Sequence, residues 1–448
     1  MHIVESRNLR SVAGGAGGAL VAGAFALAVF TACSASAADV SAEPGADAAV
    51  SAVEQTASTA DVTLEVAAWK GNDAEPAGLP ELFSKFETEH PGVAIELTYS
   101  PRIDIALEIP RRLSNEDAPD VIMVDKQIAG PLIESGRLRD LGTDSEWFAR
   151  ISPDLRDALA PSNSIHIMPV EVVGMGNFVN LALLTEAGID EPPVTIDQLT
   201  SACRRLADAG IKPMVFTGEF SAGLFLLANG IEGQDSPVAE LGRGTESFVD
   251  SESFNAGLDS IRDLIGAQCF DPTEQAGLDP WSTGLSLFAE GQMAMMPQGA
   301  WNIAAFAQRD DLDFAFVPIP SNSPTGTTID LFGFGFAIPE GAEHPEAAQT
   351  LVDWLARPEH IQVVLEAEAA YTPFDDGSSG TPPQARSFDE ARFDDAAIEY
   401  PASVGLWSAD LESETWASLT AFLLDPTMSN ASFFERWDAV VAGNEVER

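Results

Sequence analysis

Apolar residues from position 62 onward follow two periods, one typical of strands and one typical of helices. Residues 62–68 and 93–99 place apolar side chains at alternate positions, which predicts two β-strands. Between them, residues 79–86 repeat apolar side chains at helical spacing, and His90-Pro91-Gly92 ends that pattern. A strand, a helix and a strand within about 40 residues are typical of a parallel sheet. The short apolar run 121–124 then predicts a strand that is buried on both faces.

The same alternation of strand and helix patterns returns further along the chain. Thr195 precedes a helical pattern that Gly210 ends, which is typical of a capped helix with a glycine stop. Pro345 stands at the expected first position of a later helix. Further strands are predicted at 170–180, 214–216, 293–296, 314–317 and 332–338, and further helices at 254–265, 345–355 and 433–440.

These elements form two blocks, each typical of an open parallel sheet. The predicted fold class is therefore α/β, with two α/β lobes. Ligands of such folds bind beyond the carboxyl ends of the strands, so the expected site is the cleft between the two lobes.

The first 32 residues have the layout of an export signal. Arg7 and Arg10 precede a stretch from Ser11 to Ala32 that has no charged residue. This stretch is long enough to span a bilayer, so an uncleaved membrane anchor is the alternative. Phe30-Thr31-Ala32-Cys33 resembles a bacterial lipobox, with Phe30 where that pattern prefers Leu. The resemblance implies cleavage before Cys33 and acylation of the new N-terminus.

Residues 33–60 then predict a flexible linker. They are rich in Ala, Ser, Thr and acidic residues and lack apolar periodicity. Together with lipidation at Cys33, they place the folded part outside the cytoplasm, tethered to the outer face of the cytoplasmic membrane.

The chain is strongly acidic. Its 448 residues include 70 Asp and Glu against 23 Lys and Arg, which gives a formal net charge of −47. Such a surface repels nucleic acid and anionic lipid, because both bind through cationic contacts, so no nucleic-acid partner is expected. Two interpretations remain for the acidity itself: a solubility or salt-tolerance signature of the source organism, or a surface that binds polycations.

Apart from Cys33, the chain has two cysteines. Outside the cytoplasm a disulfide between Cys203 and Cys269 is permitted, although the sequence does not give their separation in space. No Cys or His cluster has metal-ligand spacing, so we expect no metal site.

Motifs of enzymes are not found. The chain has no G-x-S-x-G elbow and no phosphate-binding loop with its lysine. The acidic pairs Asp375-Asp376 and Asp394-Asp395 are of the type used in glycoside hydrolysis, but such pairs arise by chance among 70 acids. We therefore expect no catalytic residue and no cofactor.

Residues 287–301 carry the most specific motif. Phe288, Gly291, Ala294, Met295, Gly299 and Trp301 match the F-x-x-G-x-x-A-M-x-x-x-G-x-W signature, and the segment closely resembles extracellular solute-binding proteins of sugar-importing ABC transporters. Further stretches resemble the same family in the same order, at 86–93, 119–121, 136–141, 192–195, 209–213, 337–341 and 345–355.

The resemblance implies a periplasmic-binding-protein architecture, in which three hinge crossings join two lobes around a ligand cleft. We expect the crossings near 168–174, 296–300 and 329–336. The N-lobe is then 62–170 plus 300–330, and the C-lobe is 174–296 plus 336–448. A monomer of this type captures a carbohydrate and delivers it to the permease subunits of an ABC transporter.

Sugars offer apolar C–H faces and hydroxyl groups, so their sites use aromatic rings for stacking and carboxylates for hydrogen bonds. Trp301 stands at the family's stacking position, and core packing is the alternative for each tryptophan. Gly333 and Gly335 indicate a close backbone approach, either to the ligand or at a crossing. The candidate ligand-binding residues are Trp69, Asp125, Glu171, Glu219, Phe220, Trp281, Trp301, Gly333, Gly335 and Trp407.

Two other functions remain open from the sequence. One is a binding protein for a non-sugar solute, such as a polyamine or a phosphodiester, and the acidic surface favours the polyamine. The other is a secreted enzyme that acts on glycans. Sugar turnover by the purified protein distinguishes the enzyme from a binding protein.

Overall fold

The computed structural model describes residues 61–446 except 74, 162–163, 232–236, 276, 378 and 394–396. The predicted signal segment, the lipidation site Cys33, the linker and the Asp394-Asp395 pair therefore lie outside the described residues. Within the described residues, no helix is both long and apolar enough to cross a membrane.

The first strands alternate with helices, as the apolar periods predict, whereas later strands and helices also follow elements of their own kind. The strands are β1 (Val62–Ala68), β2 (Val93–Tyr99), β3 (Val121–Val124), β4 (Met168–Pro169), β5 (Val172–Asn180), β6 (Lys212–Met214), β7 (Met293–Gly299), β8 (Phe314–Val317), β9 (Thr328–Phe332), β10 (Gly335–Ala337) and β11 (Ala397–Glu399).

The α-helices are numbered α1 to α17 in the order of the sequence. They are α1 (Leu79–Glu89), α2 (Arg102–Ser114), α3 (Lys126–Glu134), α4 (Pro153–Leu159), α5 (Leu181–Glu186), α6 (Ile196–Asp208), α7 (Gly218–Gly230), α8 (Val238–Arg243), α9 (Glu252–Gly266), α10 (Pro272–Gln275), α11 (Thr283–Ala289), α12 (Ile303–Ala307), α13 (Pro345–Leu355), α14 (Pro358–Glu368), α15 (Arg386–Ala391), α16 (Ala409–Leu424) and α17 (Asn430–Val446). Thr195 and Gln198 form a capping box at the start of α6, which is why the helix begins there.

The first sheet has the strand order β2-β1-β3-β10-β4. Strands β1, β2 and β3 are parallel, and β10 runs antiparallel to both β3 and β4. Helix α1 buries its apolar face against this sheet, and α13 and α14 pack beside it, with Phe86 edge-on to Trp354 at 5.4 Å. We call this sheet, with α1–α4, α13 and α14, lobe 1.

The second sheet has the order β11-β9-β5-β7-β6, and β8 also pairs with β5. Strand β5 is long enough to pair with β9 along its first half and with β8 along its second half. Strands β6 and β7 are parallel, as are β9 and β11, whereas β5 runs antiparallel to β7, β8 and β9. We call this sheet, with α5–α11 and α15–α17, lobe 2.

Within the part of the chain that the structure describes, three crossings connect the lobes. The first leads from β4 to β5 through 170–171, and the second leads from β9 to β10 through 333–334. The third follows α14, where the Tyr371 N–H donates to the Val172 carbonyl (2.8 Å). The crossings expected near 168–174 and 329–336 contain the first two.

The expected crossing at 296–300 is wrong, and with it part of the expected division of the chain. Most of these residues form the end of β7. The following helix α12 contacts α14, and the chain then returns to the second sheet at β8. Hence β8 and β9 belong to lobe 2, although 300–330 was expected in the N-lobe. Likewise β10, α13 and α14 belong to lobe 1, although 336–448 was expected in the C-lobe. Pairing between strands that are far apart in the sequence decides to which lobe each of these strands belongs.

Lobe 2 has a core rich in aromatic rings and one disulfide. Cys203 in α6 is bonded to Cys269, after α9, with their Cα atoms 4.9 Å apart. The C-terminal helix α17 inserts Phe434 and Trp437 into this core, where both rings contact Phe248. The predicted C-terminal helix therefore packs on the body of lobe 2.

Candidate ligand cleft

Apart from β5 and β10, which begin at the crossings, the strands of both sheets have their carboxyl ends toward the gap between the lobes. In lobe 1, β10 begins at the second crossing and runs antiparallel to β3, so the carboxyl ends of β1, β2 and β3 lie on the crossing side. In lobe 2, β9 ends at that crossing, and β7, β6 and β11 run in the same direction as β9. The residues that follow these strands therefore line one cleft, as is general for ligand sites in open α/β sheets.

Three aromatic side chains of lobe 2 form what we call the aromatic platform. The ring centroids of Trp281 and Trp301 are 5.9 Å apart with a tilt of 36°, and those of Phe220 and Trp281 are 5.4 Å apart. Trp281 is 56% exposed, and the other two rings are half-buried. An exposed indole beside two further rings is an apolar surface that a flat apolar ligand face can cover.

The platform is positioned by the ends of β6 and β7. Phe220 lies in the first turn of α7, after β6, and Trp301 lies directly after β7. The Trp301 ring lies over the backbone of Gly299, where a Cβ atom would be only 2.3 Å from it. This close approach explains why the signature needs a glycine two residues before the tryptophan.

The loop that carries Trp281 is fixed by polar side chains that the sequence did not single out. Asp279 Oδ1 accepts hydrogen bonds from the Trp281 N–H (3.0 Å) and the Ser282 hydroxyl (2.7 Å). The buried Gln298 in β7 donates to the Pro280 carbonyl (3.0 Å). The platform therefore has a prearranged geometry.

On the lobe 1 side, Asp125 follows β3 but both of its oxygens are engaged. Oδ1 caps α3 by accepting from the Ile128 N–H (2.9 Å), and Oδ2 forms an ion pair with Arg102. Arg102 also donates to Gln127 Oε1 (2.6 Å). Asp125 thus positions α3 and Arg102.

A further contact joins the lobes through α3 and α16. Gln127 in α3 donates to Glu412 Oε2 in α16, and the Tyr400 hydroxyl donates to Glu412 Oε1 (2.6 Å). Glu412 is buried. Burial, and then the neighbouring Glu412, raise the pKa of Tyr400 well above its ordinary value, so its hydroxyl stays a donor. We call Gln127 and Glu412 the interlobe contact.

A cluster of ionisable groups, the hinge cluster, lies at the crossings. It consists of Lys70 after β1, Glu171 in the first crossing and Glu368 at the end of α14. Lys70 forms an ion pair with Glu368, whereas Glu171 is only 2% exposed and its Oε2 has no hydrogen-bond partner among the described residues. Burial raises the pKa of Glu171 to about 8; Lys70 acts against this rise and Glu368 adds to it. Burial acts to lower the pKa of Lys70, but Glu368 and Glu171 outweigh it and raise that pKa.

The comparisons with known proteins fit this arrangement. Residues 70–362 match the family described as bacterial extracellular solute-binding protein. The chain belongs to this family.

Individual relatives agree with the assignment. Over 172 residues the chain is 27% identical to the melibiose/raffinose/stachyose-binding protein MelE of Bacillus subtilis (strain 168); this match spans 38% of the chain and 39% of that relative. The structure of the solute-binding protein RafE in complex with raffinose has a TM-score of 0.68 at 17% identity, covering 85% of this chain and 98% of that one. A chitin oligosaccharide binding protein has a TM-score of 0.69 at 19% identity, covering 86% and 98%. These structures share the two-lobed α/β fold.

Not every candidate residue of this solute-binding protein lies in the open cleft. Trp407 is 5% exposed and packs against Phe248 and Trp437 in the core of lobe 2, so the expectation of a ligand contact is wrong for it. Trp69 is 8% exposed and packs edge-on against Phe334 at 6.2 Å, at the hinge. Core packing therefore accounts for both rings.

Close packing explains the candidate residues Gly333 and Gly335. A Cβ on Gly335 would be 2.5 Å from the Met168 carbonyl, and one on Gly333 would be 2.6 Å from Glu171 Oε1. Both glycines therefore permit close contact between crossings and strands, the second of the two explanations that the sequence left open. Glu219 is half-buried beside Phe220 in α7.

Proposed function

We propose that this solute-binding protein captures a carbohydrate between its two lobes and delivers it to the permease subunits of an ABC transporter. The observation that carries the proposal is the aromatic platform: an exposed Trp281 beside Trp301 and Phe220, at the carboxyl edge of the second sheet. The C–H faces of a sugar ring stack on such indoles, and the stack excludes water from both surfaces.

The names of the relatives support an oligosaccharide. MelE is named for melibiose, raffinose and stachyose, RafE was solved with raffinose, and a third relative binds chitin oligosaccharide. Two adjacent indoles provide a surface longer than one sugar ring, which supports a ligand of more than one unit.

Capture requires no covalent step, so the protein acts as a binder and not as an enzyme. Among the described residues, no group of three His, Cys, Asp or Glu side chains is placed to hold a metal ion. The lobes close about the crossings, bury the sugar and present a closed surface to the permease. The protein works as a monomer outside the cytoplasm, held to the outer face of the membrane through a lipid on Cys33.

A thermal-shift screen tests the proposal. The folded protein is melted with raffinose, stachyose, a chitin oligosaccharide and, as a non-sugar solute, spermidine. A ligand at 100 times its dissociation constant stabilises the protein by about 2.7 kcal/mol, which raises the melting temperature measurably. Stabilisation by a sugar supports the proposal. Stabilisation by spermidine alone favours the polyamine alternative, and appearance of shorter sugars in the incubated samples favours a glycan-acting enzyme.

Matched variants locate the site. We expect Trp281→Ala and Trp301→Ala to weaken binding at least about tenfold, and so to reduce the sugar-dependent stabilisation to about 1.4 kcal/mol or less. Leu424→Ala is the control, because Leu424 is 73% exposed at the far end of α16, about 18 Å along that helix from Glu412 at 1.5 Å per residue. An unchanged shift in both tryptophan variants would place the sugar elsewhere.

A further inference from the structure

Glu171 lies where the three crossings meet. The Val170 N–H donates to the Phe334 carbonyl (3.0 Å) and the Gly333 N–H donates to the Glu171 carbonyl (3.2 Å), so the first two crossings run side by side. On its other side, the first crossing is bonded to the third through Val172. Any rotation of one lobe against the other therefore changes the surroundings of the Glu171 side chain.

The charges around this carboxyl do not balance when it is ionised. Lys70 and Glu368 already form an ion pair with each other. An ionised Glu171 would leave the hinge cluster with one excess negative charge in a buried position. Its Oε2 has no hydrogen-bond donor among the described residues, so nothing offsets the lost hydration there. Glu75, which also acts on Lys70, adds a further negative charge on this side.

The cation that lies against Tyr371 of the third crossing is already paired with an acid. On the third crossing, the guanidinium of Arg392 lies over the Tyr371 ring (3.8 Å) but is held by both oxygens of the buried Asp330. Asp389 accepts from the Tyr371 hydroxyl and adds negative charge there. The neutral acid is therefore the form of Glu171 that fits the crossings as they lie in this structure.

We propose that Glu171 is a proton-dependent hinge residue: the lobes close with its carboxyl group neutral, and loss of that proton favours the open form. Opening the cleft brings water to the carboxyl, which removes most of the cost of ionising it. The inference rests on the proposed function only in that lobe closure is the step that captures a ligand. Capture is then favoured at neutral and acidic pH and release at alkaline pH.

Small-angle scattering of the protein without any ligand tests this directly. The radius of gyration is measured from about pH 6 to about pH 9.5, across the interval in which the Glu171 carboxyl loses its proton. We expect the wild-type protein to expand as the pH rises and Glu171→Gln, which mimics the neutral acid, to stay compact throughout. A wild-type radius that does not change with pH, or an expansion that persists in Glu171→Gln, overturns the proposal.

Two neighbours provide a directional check. Glu368 raises the pKa of Glu171 and Lys70 lowers it, so Glu368→Gln shifts the midpoint of expansion to lower pH and Lys70→Met shifts it to higher pH. Glu366→Gln, an exposed position on the same helix as Glu368, is the control and leaves the midpoint in place. Shifts in the same direction for both neighbours contradict the proposal, and if Glu171→Gln does not fold, these two variants still decide it.

No sugar is used in this experiment, so it fails or succeeds independently of the proposed function. If the protein opens as the pH rises but binds no carbohydrate, the hinge proposal stands and the proposed ligand is wrong. If it binds carbohydrate and its radius does not change with pH, the proposed ligand stands and the hinge proposal is wrong.

Discussion

Replacing Glu171 with glutamine has a stability effect whose sign depends on pH. In the folded protein the carboxyl has a pKa of about 8, against an ordinary value of 4.5. A raised carboxyl pKa means that the folded state holds the proton more tightly than the unfolded state. The contribution to stability is therefore complete below pH 4.5, falls as the pH rises, and is lost above pH 8.

The size of this effect follows from the shift. The difference of 3.5 between the two values, at about 1.4 kcal/mol per unit, corresponds to about 5 kcal/mol between acidic and alkaline pH. This is an upper limit, because hinge opening hydrates Glu171 before the protein unfolds. Glutamine cannot ionise, so the variant lacks this loss of stability, and its stability relative to wild type rises with pH.

Urea unfolding at pH 5 and at pH 9, followed by circular dichroism, measures the effect. The relevant quantity is the change with pH of the difference between the variant and wild type, in which titrating groups that do not interact with Glu171 cancel. We expect that difference to move by about 2 to 5 kcal/mol in favour of the variant at pH 9. An equal difference at both pH values would refute the assignment of a buried, protonated Glu171.

Three further predictions concern the cleft and the core. Gly299→Ala should weaken sugar binding at least about tenfold while the protein stays folded, because a Cβ at 2.3 Å must displace the Trp301 ring. A binding titration measures this loss, and a wild-type affinity in the variant would contradict it. Gln127→Ala removes a hydrogen bond to the buried Glu412 carboxylate and should therefore destabilise the closed form by about 1.5 to 3 kcal/mol. The radius of gyration should increase as a result. An unchanged radius would show that the interlobe contact does not hold the lobes together. Replacing both cysteines of the lobe 2 disulfide with alanine should lower the free energy of chemical unfolding by up to about 4 kcal/mol, because the bond closes a loop of 66 residues. A decrease below about 1 kcal/mol would contradict this prediction.

The fold was largely predictable because its elements are local. The alternation at 62–68 and the helical spacing at 79–86 correspond to β1 and α1, and the short apolar run 121–124 corresponds to the fully buried β3. The assignment of strands to lobes was not predictable in the same way. That β8 pairs with β5, more than a hundred residues earlier, has no local sequence signal, and the expected crossing at 296–300 failed for that reason.

The site was predictable where the family signature supplied it. Trp301 and its partner Gly299 lie within the signature, and the structure gives the steric reason for their spacing. Trp407 had a similar local context but lies in the core, because the distant helix α17 covers it. Gln127 and Glu412 were missed, since their contact joins residues 285 positions apart.

Titration calorimetry with the sugar that gives the largest melting shift tests the central claim most directly. Wild type, Trp301→Ala and the control Leu424→Ala are titrated under the same conditions. The platform predicts that the control matches wild type and that Trp301→Ala binds at least about tenfold more weakly, a loss of about 1.4 kcal/mol or more. Equal affinities in all three proteins would contradict a carbohydrate held on the aromatic platform.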